Sequence, residues 1–286
     1  MNHQRFVVPV SRKIRLKDYD PASTGEFTSE EEAETKIRKD CDTLARYQDM
    51  FLAQETRALL LIFQGMDGAG KDGTIKHVMS SVDPQGCTVP KFDKPAEGEL
   101  KHDYLWRFSK ELPQRGRIGI FNRSYYEEVL STRVHPERLE EQGLPPAIRK
   151  SKNIWKQRFN QINNYEQYLS ENGFIIMKFF LHLSKEKQKE RLLERLDVPE
   201  KKWKFSMTDI EDREHWDDYM KAFEDVLNET STKSASWYVV PADNRWFSAL
   251  MVADLVVKKL KELRLRYPET DNERERREAR KRLERD

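Results

Sequence analysis

Gln64-Gly-Met-Asp-Gly-Ala-Gly-Lys-Asp-Gly-Thr74 is the stretch of this sequence that decides its fold. Four of the eleven glycines in the chain lie between positions 65 and 73, and Gly65, Gly70 and Lys71 have the spacing G-x-x-x-x-G-K. Glycines let the backbone turn with its N–H groups pointing inward and no Cβ atom in the way. An apolar run precedes the stretch and a helical pattern follows it, so the sequence predicts a phosphate-binding loop between a strand and a helix.

The loop supplies most of the candidate ligands for a phosphate or a nucleotide. Lys71 is the mobile cation expected at the transferred phosphoryl group. Asp67 is unusual, because phosphate oxygens repel a carboxylate unless a cation lies between them, and this makes Asp67 a candidate magnesium ligand. The usual Ser or Thr after the lysine is replaced by Asp72, which can equally be an acid that favours the helix dipole. The other candidate loop residues are Gly65, Met66, Gly68, Ala69, Gly70, Gly73 and Thr74.

Apolar runs that alternate with helical patterns extend on both sides of the loop. They predict an α/β fold with a parallel sheet flanked by helices. The predicted strands are residues 57–63, 117–121, 173–181 and 237–240, with a short one at 87–89. The predicted helices are residues 29–52, opened by a Ser29–Glu32 capping box, and residues 71–81, 99–111, 145–172, 185–196, 208–227 and 245–266.

The ends of the chain differ from its middle in composition. Residues 1–28 read as an N-terminal arm, because prolines and a glycine interrupt any period. Residues 29–267 form the predicted P-loop domain. Residues 268–286 form a charged tail, whose simplest interpretation is a solvated helix; an arm that binds nucleic acid is the alternative, and it would normally carry a clear positive excess.

Composition and charge exclude several classes of protein. The 286 residues carry 52 Lys and Arg and 50 Asp and Glu, a net charge of +2. The longest apolar run is residues 58–63, far short of the about 20 residues that a membrane-spanning helix needs, so we expect no membrane association. Two cysteines, Cys41 and Cys87, cannot build a disulfide scaffold, and we expect a reduced, cytoplasmic setting.

A second group of candidates follows the next long strand. Asn122 stands at its carboxyl end, where P-loop folds place an acid, and ligands gather at such strand ends. Arg123 is a candidate phosphate clamp, with a structural ion pair as its alternative. Glu127 can assist a metal or an acceptor, or it can be a plain acid at the start of a helix. Arg107, on the preceding helical pattern, faces either the same cleft or the solvent.

A basic stretch follows the third long strand. Lys187, Arg191 and Arg195 are four residues apart and are expected on one helical face, and Lys204 lies further along. Cations at this place in a phosphate kinase belong to a lid that closes over a polyanion, and we predict such a lid at about residues 185–215. The alternative is a solvated helix held by pairs such as Lys187–Glu190.

Five segments of the chain together resemble the second family of polyphosphate kinases. They are Gly65-Met-Asp-Gly-Ala-Gly-Lys-Asp-Gly-Thr74, His102-Asp-Tyr-Leu-Trp-Arg107, Asn122-Arg-Ser-Tyr-Tyr-Glu127, Pro199-Glu-Lys-Lys-Trp-Lys-Phe205 and Trp237-Tyr-Val-Val-Pro-Ala-Asp-Asn-Arg-Trp246. The resemblance spans about residues 15–265. It implies a P-loop kinase fold like that of thymidylate kinase, with a helical lid, and transfer of the terminal phosphoryl group of inorganic polyphosphate to a nucleotide.

The resemblance also assigns roles to individual residues. Asp67 and Lys71 match the metal and phosphate residues of the family, and Arg123 matches its Walker B arginine. The Walker B acid falls on Asn122, which leaves the second metal ligand open. Asn122 with Glu127 is similar to class III of the family, whose members use both AMP and ADP. The lid cations, among them Arg191, Arg195 and Lys204, match only as a group.

The resemblance further implies cofactors and partners. Mg²⁺ is the expected metal, with Mn²⁺ as an alternative. The expected substrates are inorganic polyphosphate and adenine nucleotides, with guanine nucleotides as a further option. We expect a homo-oligomer, and no nucleic acid as a partner.

Two other functions remain open from the residues alone. An ATP-dependent nucleotide kinase needs similar phosphoryl clamps but a shorter basic channel. A non-catalytic P-loop protein that binds a nucleotide or a nucleic acid would turn over no phosphate and would bind nucleic acid with a steep dependence on salt.

Overall fold

The central strand of the sheet, β1 (Ala58–Gln64), is buried along its whole length. The structure, a computed structural model, describes residues 2–269 and 272–285. The strand order is β2-β3-β1-β4-β5 and all neighbours are parallel. The other strands are β2 (Cys87–Thr88), β3 (Ile118–Asn122), β4 (Phe174–His182) and β5 (Trp237–Pro241).

Helices cover both faces of this sheet, which confirms the predicted α/β fold. The α-helices of the described residues are α1 (Glu30–Gln54), α2 (Lys71–Val78), α3 (Trp106–Ser109), α4 (Ser131–Val134), α5 (Pro136–Glu140), α6 (Pro146–Arg149), α7 (Ile154–Glu171), α8 (Lys185–Asp197), α9 (Met207–Glu214), α10 (Trp216–Thr230), α11 (Arg245–Glu262) and α12 (Glu273–Leu283). Within the described residues, no helix has the length and apolar character needed to cross a membrane.

Alternate residues of β1 enter two separate hydrophobic cores. Leu59, Leu61 and Phe63 pack in the layer that contains α1, α2 and α11. Leu60 and Ile62 pack in the layer that contains α7 and α10. Successive side chains of a strand point to opposite faces, so one continuous apolar run serves both layers of the sandwich.

Three predicted helices are interrupted in the structure. Residues 99–111 contain a short 3₁₀ turn and then α3, because the Asp103 side chain accepts the Leu105 backbone N–H at 3.0 Å and forms a turn. Residues 145–172 divide into α6 and α7 at a turn where Ser151 accepts the Asn153 N–H. Residues 208–227 divide into α9 and α10 at His215, where neither glycine nor proline marks the break.

The N-terminal segment lies against the domain. Val7 forms an antiparallel bridge with Tyr238 of β5, and Phe6, Val8, Ile14 and Leu16 are buried. At the other end of the chain, the residues of α12 are exposed to solvent along the whole helix. Residues 1, 270–271 and 286, which belong to the predicted arm and tail, lie outside the described residues.

Candidate active site

The site begins where β1 and β3 end. Phe63 pairs with Asn122 across the two parallel strands, so the loop after β1 and the loop after β3 leave the same edge of the sheet. The Arg123 N–H donates to the Phe63 carbonyl at 3.0 Å and continues the ladder for one more residue. The sheet register thereby brings the two predicted groups of candidate residues together.

Two glycines give the phosphate-binding loop its shape. A Cβ at Gly65 would come within 2.7 Å of the Leu181 carbonyl oxygen of β4, so this position has no room for a side chain. Gly70 has φ +96° and is the residue directly before α2. That conformation is accessible to glycine and strained for other residues. Met66 and Ala69 are buried and anchor the loop between these turns.

Lys71 lies across the inside of the loop. Its side chain is 8% exposed, and its Nζ donates to the carbonyls of Gly65 at 2.7 Å and of Met66 at 3.3 Å. The Asp67 carboxylate is 3.9 Å away. Burial lowers the pKa of Lys71, while the neighbouring carboxylates raise it, and the overall shift is downward. The ammonium group is thus held where phosphate oxygens would replace loop carbonyls as its partners.

Asp67 and Arg123 form a close ion pair between the loop after β1 and the loop after β3. Arg123 Nη2 donates to Asp67 Oδ1 at 2.6 Å, and Arg123 Nη1 lies 3.9 Å from Glu127 Oε2. Although burial of Asp67 raises its pKa, the charges of Arg123 and Lys71 lower it to about 2. Asp67 is therefore ionised at neutral pH, as a metal ligand must be. Arg123 itself has φ +66°, a strained backbone of the kind that occurs at functional sites.

Asn122 and Asp72 form a second contact between the two loops. Asn122 Nδ2 donates to Asp72 Oδ1 at 2.6 Å, and Lys204 of the predicted lid lies 3.5 Å from Asp72 Oδ2. Partial burial raises the pKa of Asp72, but the Asn122 hydrogen bond and the Lys204 charge lower it overall. Asp72 thus links α2 to the strand end and to the lid.

The structure gives Arg191 a different role from the predicted contact with phosphate, and this is a correction. Arg191 shares one face of α8 with Lys187 and Arg195, as predicted, but its own side chain is covered by protein and only 5% exposed. Its guanidinium donates to four backbone carbonyls, those of Gly68, Ala69, Ala242 and Asp243. Arg191 thereby holds the phosphate-binding loop against β5, and its donors are occupied by protein.

The other lid cations also have protein partners. Arg195 contacts the Asp209 carboxylate and lies 3.5 Å from the Lys204 carbonyl, which ties α8 to α9. Lys187 pairs with Glu190, as the alternative interpretation of the helix predicted. Gln188, on the buried face of α8, donates to the Asp67 carbonyl at 2.8 Å. The lid therefore rests on the phosphate-binding loop through Gln188 and Arg191.

A cavity of about 900 Å³ opens beside these charges. Asp67, Arg123 and Glu127 line one part of it, and Arg107 lies in its wall. The Arg107 guanidinium lies 5.8 Å from the ring centre of Phe92 and donates to the Asp93 carbonyl at 2.9 Å. The cavity has the size of a small-molecule site.

Several residues of this cavity were not singled out from the sequence. Glu128 is 6% exposed, and its burial raises its pKa to about 7, although Arg158 acts in the opposite direction. Arg158 also stacks over the Tyr104 ring at 4.7 Å. Asp209 is buried beside the site, and burial together with the Asp67 charge raises its pKa to about 6. Their sequence neighbourhoods contain no glycine pattern or spacing that distinguishes them from ordinary helix residues.

The remaining loop candidates lie in α2. The Thr74 N–H donates to the Gly70 carbonyl at 2.9 Å, and Thr74 is 4% exposed. A Cβ at Gly73 would meet no atom within 4 Å, so this glycine faces open space. Gly68 has φ +85° and lies under α8.

Few side chains of the site are available as metal ligands. Among the described residues, no group of three or more His, Cys, Asp and Glu side chains is arranged to hold a metal ion. Mg²⁺ sites in phosphoryl-transfer proteins commonly use one or two carboxylates together with substrate phosphates. The ionised Asp67 beside the loop fits that kind of site, whereas the Asn122 amide is hydrogen-bonded to Asp72.

Comparisons with known proteins agree with this geometry. The model of the polyphosphate kinase 2 family matches residues 27–268. The ADP-polyphosphate phosphotransferase of Rhodopseudomonas palustris is 46% identical over 93% of this chain and 92% of its own. The AMP/ADP-polyphosphate phosphotransferase of Meiothermus ruber is 39% identical over 94% of this chain and 96% of its own.

A solved structure extends the similarity to three dimensions. The crystal structure of polyphosphate kinase 2 from Arthrobacter aurescens superposes with a TM-score of 0.87 at 36% identity and covers 96% of this chain and 94% of its own. The match to the family model spans the phosphate-binding loop, the loop after β3 with Arg123 and the predicted lid, since all three lie within residues 27–268. The chain belongs to the polyphosphate kinase 2 family.

Proposed function

We propose that this protein transfers the terminal phosphoryl group of inorganic polyphosphate to ADP and to AMP. The observation that carries the proposal is the cluster of Lys71, Asp67 and Arg123, in which Asp67 and Arg123 line the 900 Å³ cavity and Lys71 lies 3.9 Å from Asp67. The names of the two relatives, one an ADP-polyphosphate and the other an AMP/ADP-polyphosphate phosphotransferase, support the same reaction.

The acceptor nucleotide fits the cavity. The residues that line it include the Arg123 guanidinium, which suits a phosphate group, and the partly exposed rings of Phe92 and Tyr104, which suit a nucleobase. An aromatic wall offers stacking to either purine, so guanine nucleotides are a second acceptor class in this proposal.

The chemistry needs charge stabilisation more than proton transfer. The attacking atom is a phosphate oxygen of AMP or ADP, which is already anionic, so no general base has to remove a proton. The terminal phosphoryl group passes through a transition state whose charge is spread over its oxygens. Lys71 and Arg123 are preorganised cations for that charge, in a site where burial strengthens their effect.

Mg²⁺, with Mn²⁺ as a substitute, would be held by Asp67 and by substrate phosphates. When bound, it would neutralise phosphate charge and orient the reacting groups. Asn122 offers an amide oxygen without a second negative charge. We propose that this neutrality leaves the acceptor phosphate free to sit at two depths, which is the basis for the use of both AMP and ADP.

In this proposal the lid supplies the surface that binds polyphosphate, the phosphoryl donor. Lys204 beside Asp72 and the neighbouring exposed Lys202 present positive charge next to the phosphate-binding loop. A polyphosphate chain carries many charges and needs such an extended basic surface. Arg191 acts here by holding the loop in shape, and Arg195 by holding the lid together.

Formation of ATP tests this function directly. Purified protein, ADP, polyphosphate and Mg²⁺ are combined without ATP, and luciferase detects the product. We expect ATP formation that depends on polyphosphate, and ADP formation when AMP replaces ADP, detected by chromatography. An ATP-dependent nucleotide kinase would give no polyphosphate-dependent product in either assay, and a non-catalytic P-loop protein would turn over no phosphate.

The dual use of AMP and ADP is tested by the Asn122→Asp variant. The added charge should change the ratio of the two rates at saturating Mg²⁺ more than it changes the melting temperature. An unchanged ratio would mean that Asn122 does not set the acceptor range. A wild type that is inert toward AMP would exclude class III. Light scattering of the purified protein tests the proposed homo-oligomer, and fractionation of the source cells tests the cytoplasmic location.

A further inference from the structure

Gln64 is a buried polar residue at the end of an otherwise apolar strand. It is the last residue of β1, directly before Gly65, and it is 1% exposed. A buried amide is costly unless its oxygen and nitrogen are hydrogen-bonded. Gln64 therefore needs hydrogen-bond partners for both the oxygen and the nitrogen of its amide.

The partners of Gln64 all lie on the loop after β3, and they fix the orientation of its amide. The oxygen accepts from the Ser124 hydroxyl and the Ser124 N–H, each at 3.2 Å. The nitrogen donates to Glu127 Oε1 at 3.0 Å. Gln64 thereby joins the strand that carries the phosphate-binding loop to the carboxylate that faces Arg123.

The Glu127 carboxylate, which is bound by Gln64, lies beyond hydrogen-bond distance of the Arg123 guanidinium. Glu127 Oε2 is 3.9 Å from Arg123 Nη1, which is beyond a normal hydrogen bond, whereas Asp67 binds Arg123 Nη2 at 2.6 Å. Arg123 therefore forms a hydrogen bond with Asp67 and none with Glu127. One side of its guanidinium stays available for a phosphate.

We propose that Gln64 is a positioning residue, which keeps Glu127 from closing on Arg123. Without the Gln64 amide, Glu127 closes the gap of 3.9 Å and forms a direct ion pair with Arg123. That pair competes with phosphate for the same donors. The inference rests on the proposed function, because it assigns Arg123 to phosphate binding.

A double-mutant cycle tests this role, since coupling appears only between residues that act together. The measured quantity is the dissociation constant of inorganic tripolyphosphate, determined by calorimetry with Mg²⁺ and without nucleotide. Gln64→Met should weaken binding about tenfold when Glu127 is present, and less than about twofold in the Glu127→Ala background. In that background no carboxylate competes for Arg123.

Gln48 offers a matched control. It is 2% exposed, and its amide exchanges hydrogen bonds with the backbone of Asp83 at 2.8 Å on each side, away from the cavity. Gln48 also donates to Cys87 Sγ at 3.4 Å, so Gln48→Met, like Gln64→Met, removes three buried amide hydrogen bonds, and it should leave tripolyphosphate binding unchanged. If Gln64→Met does not fold, Gln64→Asn takes its place in the cycle, because its side chain is one methylene shorter and withdraws the amide from Glu127.

Each outcome decides the proposal. A loss in binding that depends on Glu127 supports it. An equal loss in both backgrounds, or no loss at all, overturns the role of Gln64 while wild-type ATP formation leaves the proposed function standing. A wild type that neither binds tripolyphosphate nor makes ATP overturns the proposed function and the role of Gln64 together.

Discussion

Two buried clusters of charge lie on either side of the Ser124 turn, and they differ in how completely they are satisfied. The first contains Lys178 of β4 and Glu166 of α7, both 0% exposed. Lys178 Nζ donates to Glu166 at 2.6 Å, to the Tyr126 hydroxyl at 2.9 Å and to the Thr230 carbonyl at 2.7 Å. These three bonds use all the donors of an ammonium group, so this cluster has no capacity for a ligand.

The second cluster is the one at the phosphate-binding loop. Lys71 is also buried, but the side chains of Asp67 and Arg123 are 18% and 38% exposed and line the cavity. Lys71 donates to two loop carbonyls, and the nearest carboxylate, that of Asp67, is 3.9 Å away. Both clusters therefore contain buried charges. They differ because a ligand can reach the second cluster through the cavity and can still form hydrogen bonds there.

Loss of Lys178 tests the closed cluster and should have the largest effect. Lys178→Met leaves the Glu166 charge buried without its cation, and such a change typically costs about 3–5 kcal/mol of unfolding free energy. Denaturant titration measures this cost. The fraction that remains folded should keep near-normal turnover; normal stability would show that the two clusters do not differ as described.

Loss of the Asp67 charge tests the open cluster. Asp67→Asn should lower turnover about a hundredfold and raise the Mg²⁺ concentration for half-maximal rate. Titration with Mg²⁺ and with Mn²⁺, after removal of metal by a chelator, measures both. Unchanged rate and metal dependence would reduce Asp67 to a residue that only shapes the loop.

Glu128 shares features of both clusters, since it is buried yet lines the cavity. Its pKa is about 7 in the folded protein against 4.5 in the unfolded chain, so the folded state holds the proton more tightly. The stability from this group is complete below pH 4.5 and is lost as the pH rises through 7.

Glu128→Gln removes this titration. We expect the unfolding free energy of the wild type to fall relative to the variant by about 1 kcal/mol between pH 5 and pH 6. Denaturant titrations at both pH values measure the difference. Parallel profiles for the two proteins would show that Glu128 is ionised in the fold.

The sequence predicted the elements that local pattern determines. The apolar run before Gly65, the capping by Ser29 and the glycine spacing each act over a few residues, and the fold follows them. The prediction that Arg123 lies close to the phosphate-binding loop depended on parallel strands that end at one edge, and the contact with Asp67 agrees with it.

The sequence could not predict which cations face protein and which face the cavity. Arg191 and Arg195 are four residues apart on the same face of α8, but Arg191 donates hydrogen bonds to four backbone carbonyls from two distant segments and is buried by them. The environments of Gln64 and Glu128 likewise depend on partners far along the chain. Such contacts are set by tertiary packing and leave no local signature.

The central claim is that the open cluster performs the chemistry while the closed cluster maintains the fold. Polyphosphate-dependent ATP formation and the melting temperature, measured side by side on Lys71→Ala and Lys178→Met, test it most directly. We expect Lys71→Ala to lose at least about a hundredfold in turnover with a melting temperature close to that of the wild type, and Lys178→Met to show the reverse. A Lys71→Ala protein with wild-type turnover, or one that loses activity only because it unfolds, would show that the open cluster does not perform the chemistry.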